Sequence, residues 1–244
     1  MSTPWFLAAQ RDWSEQEVRL SPTESHHARH VLRLRPSDPI TITDGAGTVA
    51  QCEVVCTDHG RLVAAILERV ETTVPRPEIV VFQAAAKTGK VDVVIEKLAE
   101  LGVSETHVYK SMRAVAVWDD EKERRLESRW AAIARAASKQ SRSPFVMRTS
   151  RTMSWTDLTR RIASEPAAVV LWEQARAPLR EVLDDGAGRI ALVVGPEGGL
   201  EPSEAEALAA AGAQLASLGP RILRTETAPV VATAAVAYHY GLLG

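Results

Sequence analysis

The chain has 244 residues, 45% of them hydrophobic, enough apolar material for one large domain or two smaller ones. Its 29 Lys and Arg against 31 Asp and Glu leave a formal net charge of -2, so the overall balance does not advertise a nucleic-acid binder. Two cysteines, Cys52 and Cys56, exclude a disulfide framework and favour a reduced, cytosolic setting.

The first residues, Met1 to Leu7, contain neither a basic leader nor an adequate apolar core, so no signal peptide is expected. His26 and His30 stand one helical turn apart beside His27, but no carboxylate or cysteine pattern accompanies them. A helix-face or RNA-contact reading outweighs a metal site, and no metal is expected elsewhere. Short alternating segments follow at Ile40–Thr43, Ala50–Val55 and Leu62–Leu67. Asp44-Gly45 and Asp58-His59-Gly60 separate them as hairpin turns. These features predict a small β-barrel over residues 1–73. Two prolines within Val74-Pro75-Arg76-Pro77-Glu78 exclude a helix and mark an extended connector to a second domain, residues 74–244.

Beyond the connector the pattern changes period. Ile79–Ala85 reads as a strand, and Val91–Leu101 as a helix with Val91, Val94, Ile95, Leu98 and Leu101 on one face. Asp119–Lys139 predicts a longer helix with acids in its first turn and Lys139 at its end, as the macrodipole favours. Ala167–Trp172 and Arg189–Val194 are buried-strand candidates. Pro202 opens a helix to Ala211, stopped by Gly212. This alternation predicts an α/β fold with a mostly parallel sheet and helices on both faces. The tail from Ala228 to Gly244 is a poor membrane span and a good buried helix, with no membrane association expected.

Two turn-forming segments are the most informative. Gly195-Pro196-Glu197-Gly198-Gly199-Leu200 directly follows the apolar run ending at Val194. Leu218-Gly219-Pro220-Arg221-Ile222-Leu223-Arg224-Thr225-Glu226-Thr227-Ala228 precedes the alanine-rich tail. Buried strands that end in glycines expose main-chain groups where a ligand can approach closely. Neither segment has the Gly-Lys-Ser/Thr ending of a phosphate loop or the spacing of a dinucleotide fingerprint. Glu197 would repel phosphate and suits a cationic ligand better. No Gly-x-Ser-x-Gly elbow supports serine hydrolysis. Local charge departs from the whole: Lys110 to Arg151 holds eleven Lys/Arg and five Asp/Glu, a formal +6.

Together the two segments resemble the cofactor loops of the SPOUT methyltransferases, and their wording is most similar to the family of 16S ribosomal RNA uridine N3-methyltransferases known as RsmE. The resemblance extends upstream through Lys87-Thr88-Gly89-Lys90, Glu96-Lys97-Leu98-Ala99-Glu100-Leu101-Gly102-Val103, Arg129-Trp130 and Gln140-Ser141-Arg142. In the first domain it covers His30-Val31-Leu32-Arg33 and Thr43-Asp44-Gly45-Ala46-Gly47. It implies a C-terminal trefoil-knot domain that binds S-adenosylmethionine, preceded by a PUA-like RNA-binding barrel, in a cytoplasmic homodimer acting on 16S rRNA or the small ribosomal subunit. It implies cofactor contacts from Leu171, Trp172 and Glu173, from Gly195, Pro196, Glu197, Gly198 and Gly199, and from Leu218, Gly219, Arg221, Ile222, Leu223 and Thr225. Trp172 departs from the smaller or His-like residue usual there, and Pro229-Val230 from the usual Ala-Leu, so the last helix is expected to start at a shifted boundary.

For the chemistry, Arg224 is the first candidate to stabilise charge developing on a uracil, with Glu226 as orienter or base. A local Arg224–Glu226 ion pair that fixes the loop is the structural alternative. Phosphate recognition leaves a weak spacing signature. The RNA-contact candidates are Arg29, Arg33 and Arg35 in the first domain, with Lys87, Lys90, Arg113 and Arg142 in loops of the second. A SPOUT enzyme acting on another RNA nucleotide, and a catalytically silent RNA-binding assembly factor, remain as alternatives.

Overall fold

The computed structural model describes residues 3–113 and 118–243, the side chain of Thr88 excepted. The chain divides into two compact units, Met1–Val74 with Ser138–Val146, and Pro75–Ala137 with Met147–Gly244. Residues 138–146 therefore pack with the first unit, although their sequence position assigned them to the second domain. Arg142 goes with them.

In the first unit the strands are β1 (Trp5–Leu7), β2 (Glu17–Arg19), β3 (Pro39–Thr43), β4 (Thr48–Asp58) and β5 (Arg61–Glu71), with a short helix α1 (Pro22–His26). They form one sheet in the order β1-β3-β4-β5-β2, antiparallel except for the β1–β3 pair. Alternation gives each strand one apolar face. Phe6, Val18, Leu20, Ile40, Ile42 and Leu62 are fully buried or nearly so, and each such side chain contributes roughly 1.5–3 kcal/mol of transfer free energy. Both predicted turns join adjacent strands. His59 and Gly60 have φ of +45° and +77°, the left-handed pair a tight hairpin turn requires.

The second unit begins with β6 (Glu78–Ala84), α2 (Thr88–Glu100), β7 (Glu105–Tyr109) and α3 (Asp120–Gln140), then β8 (Arg148–Thr149), α4 (Trp155–Ile162) and β9 (Ala168–Leu171). It closes with β10 (Arg189–Val194), α5 (Pro202–Ala210), β11 (Gln214–Ala216) and α6 (Ala228–His239). The six strands lie in the order β11-β9-β10-β6-β7-β8, and every pairing is parallel. Along β6, Ile79 and Val81 join a core containing Val94 and Leu98 of α2, Trp130 of α3 and Val236 of α6. Val80, Phe82 and Ala84 join the opposite core, with Leu158 of α4 and Leu208 of α5. Helices thus cover both faces, which is why Ile79–Phe82 of β6 and Ile190–Val194 of β10 read as continuous apolar runs. Pro229 occupies the first turn of α6, where its missing N–H costs no helical hydrogen bond. Among the described residues no helix is long and apolar enough to cross a membrane.

Candidate active site

Three neighbouring parallel strands, β11, β9 and β10, end at the same edge of the sheet. The segments that leave them surround a cavity of about 540 Å³. Its wall is formed by Leu171, Trp172 and Glu173 after β9, Gly195 to Leu200 after β10, and Ser217 to Thr225 after β11, with Lys90 of α2 and Ala228 of α6. Ligands of open α/β sheets bind at this carboxyl edge because successive connections diverge there. Each of the fourteen cofactor-contact candidates lines the cavity, Trp172 included. Arg224 also lines it; Glu226 does not.

The first loop is held tightly. Gly199 has φ +73° and donates its N–H to the Pro196 carbonyl at 3.0 Å. A Cβ on Gly199 would come within 2.7 Å of Glu173 Oε1, and one on Gly195 within 3.1 Å of Leu200 Cγ. The loop then enters α5 through a capping box made by Glu201 and Glu204. Buried Glu204 also accepts the Met112 N–H at 2.8 Å, and Arg113 pairs with Glu201 while donating to the Gly198 carbonyl at 3.0 Å. Behind the loop, the Tyr109 hydroxyl donates to the Val194 carbonyl at 3.0 Å, and burial together with the Glu204 charge raises its pKa.

Thr225 ties the second loop to the first. Its buried hydroxyl donates to the Gly195 carbonyl at 2.7 Å and accepts from Gln83 Nε2 at 2.9 Å. The rest of that loop is unspent: the backbone N–H and C=O groups of Leu218, Arg221, Ile222 and Leu223 make no hydrogen bond to any other described residue. Gly219 has φ +108° and open space where a Cβ would stand. Ile222 is 87% exposed, an apolar side chain with nothing packed over it.

Charge is concentrated at one side. Lys90 Nζ lies 3.3 Å from Glu197 Oε1 and 3.2 Å from Glu226 Oε2, so one ammonium joins both loops. Desolvation opposes its charge, but pairing with Glu226 and Glu197 prevails and holds its pKa above the ordinary lysine value. Glu226 is held below the ordinary carboxylate value: desolvation works against this, and a hydrogen bond from its own backbone N–H, the Lys90 ammonium and the Arg224 charge together outweigh it. Arg224 Nη1 stands 4.0 Å from Glu226 Oε1 and its side chain is 83% exposed.

This arrangement revises the reading of two cations. Lys90 sits in the first turn of α2 rather than in a loop, and it is engaged with Glu197 of the cavity wall and with Glu226 outside it. Arg113 braces the glycine turn. Both pairings depend on residues about ninety or more positions away, which spacing cannot reveal. Among the described residues, Arg29, Arg33, Arg35, Lys87 and Arg142 have no ion-pair partner, and all five are exposed. Arg33 and Arg142 adopt left-handed backbone, with φ of +57° and +58°. The His26 and His30 rings lie 4.5 Å apart, and no group of three potential metal ligands occurs among the described residues. Gln83, Tyr109, Glu201 and Glu204 support the site without any motif of their own; they are legible only once the strands are side by side.

Comparison with known proteins agrees with this geometry. Residues 73–237 match the sequence model of an RNA methyltransferase domain, and residues 20–67 that of an RNA methyltransferase PUA domain. The Ribosomal RNA small subunit methyltransferase E of Mycobacterium tuberculosis is 37% identical over 217 residues, spanning 87% of this chain and 83% of the relative. Its Bacillus subtilis counterpart is 30% identical over 245 residues, spanning 94% and 95%. Among solved structures, Ribosomal RNA small subunit methyltransferase E from Neisseria gonorrhoeae, bound to S-adenosyl methionine, superposes with a TM-score of 0.85 at 27% identity over 98% of each chain.

Proposed function

Because the chain belongs to the ribosomal RNA small subunit methyltransferase E family, we propose that it transfers a methyl group from S-adenosylmethionine to N3 of a uridine in 16S ribosomal RNA. The observation that carries the reading is the unspent main chain of Leu218, Arg221, Ile222 and Leu223 around the cavity. Such groups suit the hydrogen-bonding edge of an adenine, and the apolar Ile222 and Leu223 side chains suit its faces. The open space at Gly219 leaves room for a ligand against the backbone. The cavity, about 540 Å³, lies within the range of cofactor pockets, roughly 300–1,000 Å³. When bound, S-adenosylmethionine supplies an electrophilic methyl group on a sulfonium.

The chain's own residues do the remaining work. The loops fix the donor so that nitrogen, methyl carbon and sulfur can align, a positioning task. Uridine carries a proton on N3 at neutral pH, and negative charge spreads onto the uracil carbonyls as it leaves. Arg224, exposed at the cavity wall, stabilises that charge. Glu226, the orienter or base expected from the sequence, lies outside the wall and is held by Lys90, and its depressed pKa makes it a weak base. The unpaired Arg29, Arg33, Arg35, Lys87 and Arg142 grip RNA phosphates. We further propose a trefoil knot at the C-terminal loops, and a cytoplasmic homodimer formed through α6, whose exposed side carries Val231 and Tyr238.

Nucleoside mass spectrometry of ribosomal RNA from a strain lacking the protein tests the reaction: 3-methyluridine disappears from 16S rRNA and returns on complementation. An unchanged nucleoside profile together with calorimetric binding of S-adenosylmethionine would point to another substrate. No binding at all would sink the enzyme.

A further inference from the structure

Lys90 is a cavity-wall cation with no exposed role left to it, because both carboxylates within reach already hold it. Its consequence for Arg224 follows from competition. Glu226 is the one carboxylate within ion-pair distance of Arg224 among the described residues, at 4.0 Å, while Lys90 holds the same carboxylate at 3.2 Å. A carboxylate committed to a compact ammonium leaves less attraction for a second cation. The Arg224 side chain accordingly stays 83% exposed, although it sits two residues from Glu226.

We propose that Lys90 is a positioning residue that keeps Arg224 available to the RNA substrate by occupying Glu226. The role given to Arg224 rests on the methyl-transfer reading above; the competition itself does not. If Lys90 is removed, Glu226 turns to Arg224 and draws its guanidinium out of reach of an incoming uracil. Glu197, the other carboxylate that Lys90 holds, anchors the ammonium from the glycine turn and sets its place between the loops.

The test reads Arg224 directly. An arginine-selective dicarbonyl reagent modifies free guanidinium groups faster than paired ones, and peptide mass spectrometry follows Arg224 and Arg221 separately in the intact protein. Arg221 lines the same cavity without an acidic partner among the described residues and serves as the internal reference. In Lys90→Gln the Arg224 rate falls about two- to fivefold relative to Arg221, the factor a partly exposed ion pair supplies. Lys90→Arg keeps the wild-type rate. Lys90→Gln combined with Glu226→Gln restores it, because the competing carboxylate charge is gone. Steady-state methylation follows the same order, with kcat changing more than KM for RNA.

An unchanged or faster Arg224 rate in Lys90→Gln overturns the proposal. So do parallel changes at Arg221 and Arg224, which mean that the loop has merely loosened. A failure of the double variant to recover assigns the effect to something other than Glu226 and overturns it as well. If labelling follows the expected order while even the wild-type protein leaves uridine unmodified, the reaction assignment fails and the competition stands.

Discussion

Two glycine-containing turns in this chain serve opposite ends. In the turn Asp44–Gly47 the backbone is used up. Asp44 Oδ1 accepts the N–H groups of Ala46 and Thr48 at 2.7 and 3.0 Å, and Gly47 donates to the Pro144 carbonyl at 3.2 Å and accepts from Thr72 at 2.9 Å. A Cβ on Gly45 would meet Val146 Cγ2 at 2.8 Å, and one on Gly47 the Thr72 carbonyl oxygen at 2.8 Å. The loop Leu218–Leu223 has the reverse character: few bonds, open space at Gly219, an uncovered Ile222. Glycine lets the chain pack against itself in the first case and leaves it open to a ligand in the second. What separates them is whether the main chain's donors and acceptors are already spent.

The largest effect expected from this contrast is Gly47→Ala. Its φ of +119° and its contact with backbone leave the added methyl no inexpensive escape, so the first unit loses about 2–4 kcal/mol in denaturant unfolding. Affinity for S-adenosylmethionine, measured by calorimetry where the protein is folded, stays at the wild-type value. A stability loss under about 1 kcal/mol would show that the turn is less tightly packed than its distances imply.

Next comes Thr225→Val, which keeps the shape and removes the hydroxyl that joins Gln83 to the Gly195 carbonyl. Leaving buried polar groups unpaired costs about 1–3 kcal/mol, and the two loops lose their tie. Both thermal stability and donor affinity should fall. Retained affinity would mean that the loops hold their geometry independently.

Gly219→Ala is the milder counterpart of Gly47→Ala. Nothing lies within 4 Å of its Cβ position, so strain at φ +108° is the remaining cost, about 1–2 kcal/mol. Relief of that strain shifts the unspent backbone, and donor affinity falls about tenfold, the equivalent of 1.4 kcal/mol. Equal losses of stability from Gly219→Ala and Gly47→Ala would erase the distinction between the two turns.

The same distinction explains what the sequence could disclose. Gly195–Leu200 was legible because its glycines directly follow an apolar strand, Leu218–Thr225 through its resemblance to a family's cofactor loop, and the helix Asp120–Gln140 because its acids stand in the first turn. β7 was not: Glu105-Thr106-His107-Val108-Tyr109 mixes charge with apolar residues, since Glu105 and His107 pair at 3.0 Å beside Arg189. α4 buries only Leu158 and Ile162, too few positions to announce a helix, and β11 is three residues long. The return of Ser138–Val146 to the first unit rests on partners such as Glu24 and Gly47, about a hundred residues away. Lys90 read as a loop cation for the same reason: an ion pair is a property of the fold, and cations carry no spacing code.

The smallest effect is a pH dependence confined to the extremes. Glu226 is held below the ordinary carboxylate value, so its pairing with Lys90 stabilises the fold fully above the unfolded carboxylate range and is lost as pH falls through the folded value. Lys90 is held above the ordinary lysine value, so its share is complete below the unfolded lysine range and is lost as pH rises through the folded value. Between about pH 6 and pH 9 neither group titrates, and the coupling between Lys90→Gln and Glu226→Gln in a double-mutant cycle of unfolding free energies is flat. It shrinks as the cycle is repeated at pH values falling progressively below the ordinary carboxylate range, where the carboxylate takes up its proton. A coupling that varies across neutral pH would require another titrating group at the two loops. One that survives protonation of Glu226 would show that the side chains are joined by packing rather than by charge, and Arg224 would then have no carboxylate to be kept from.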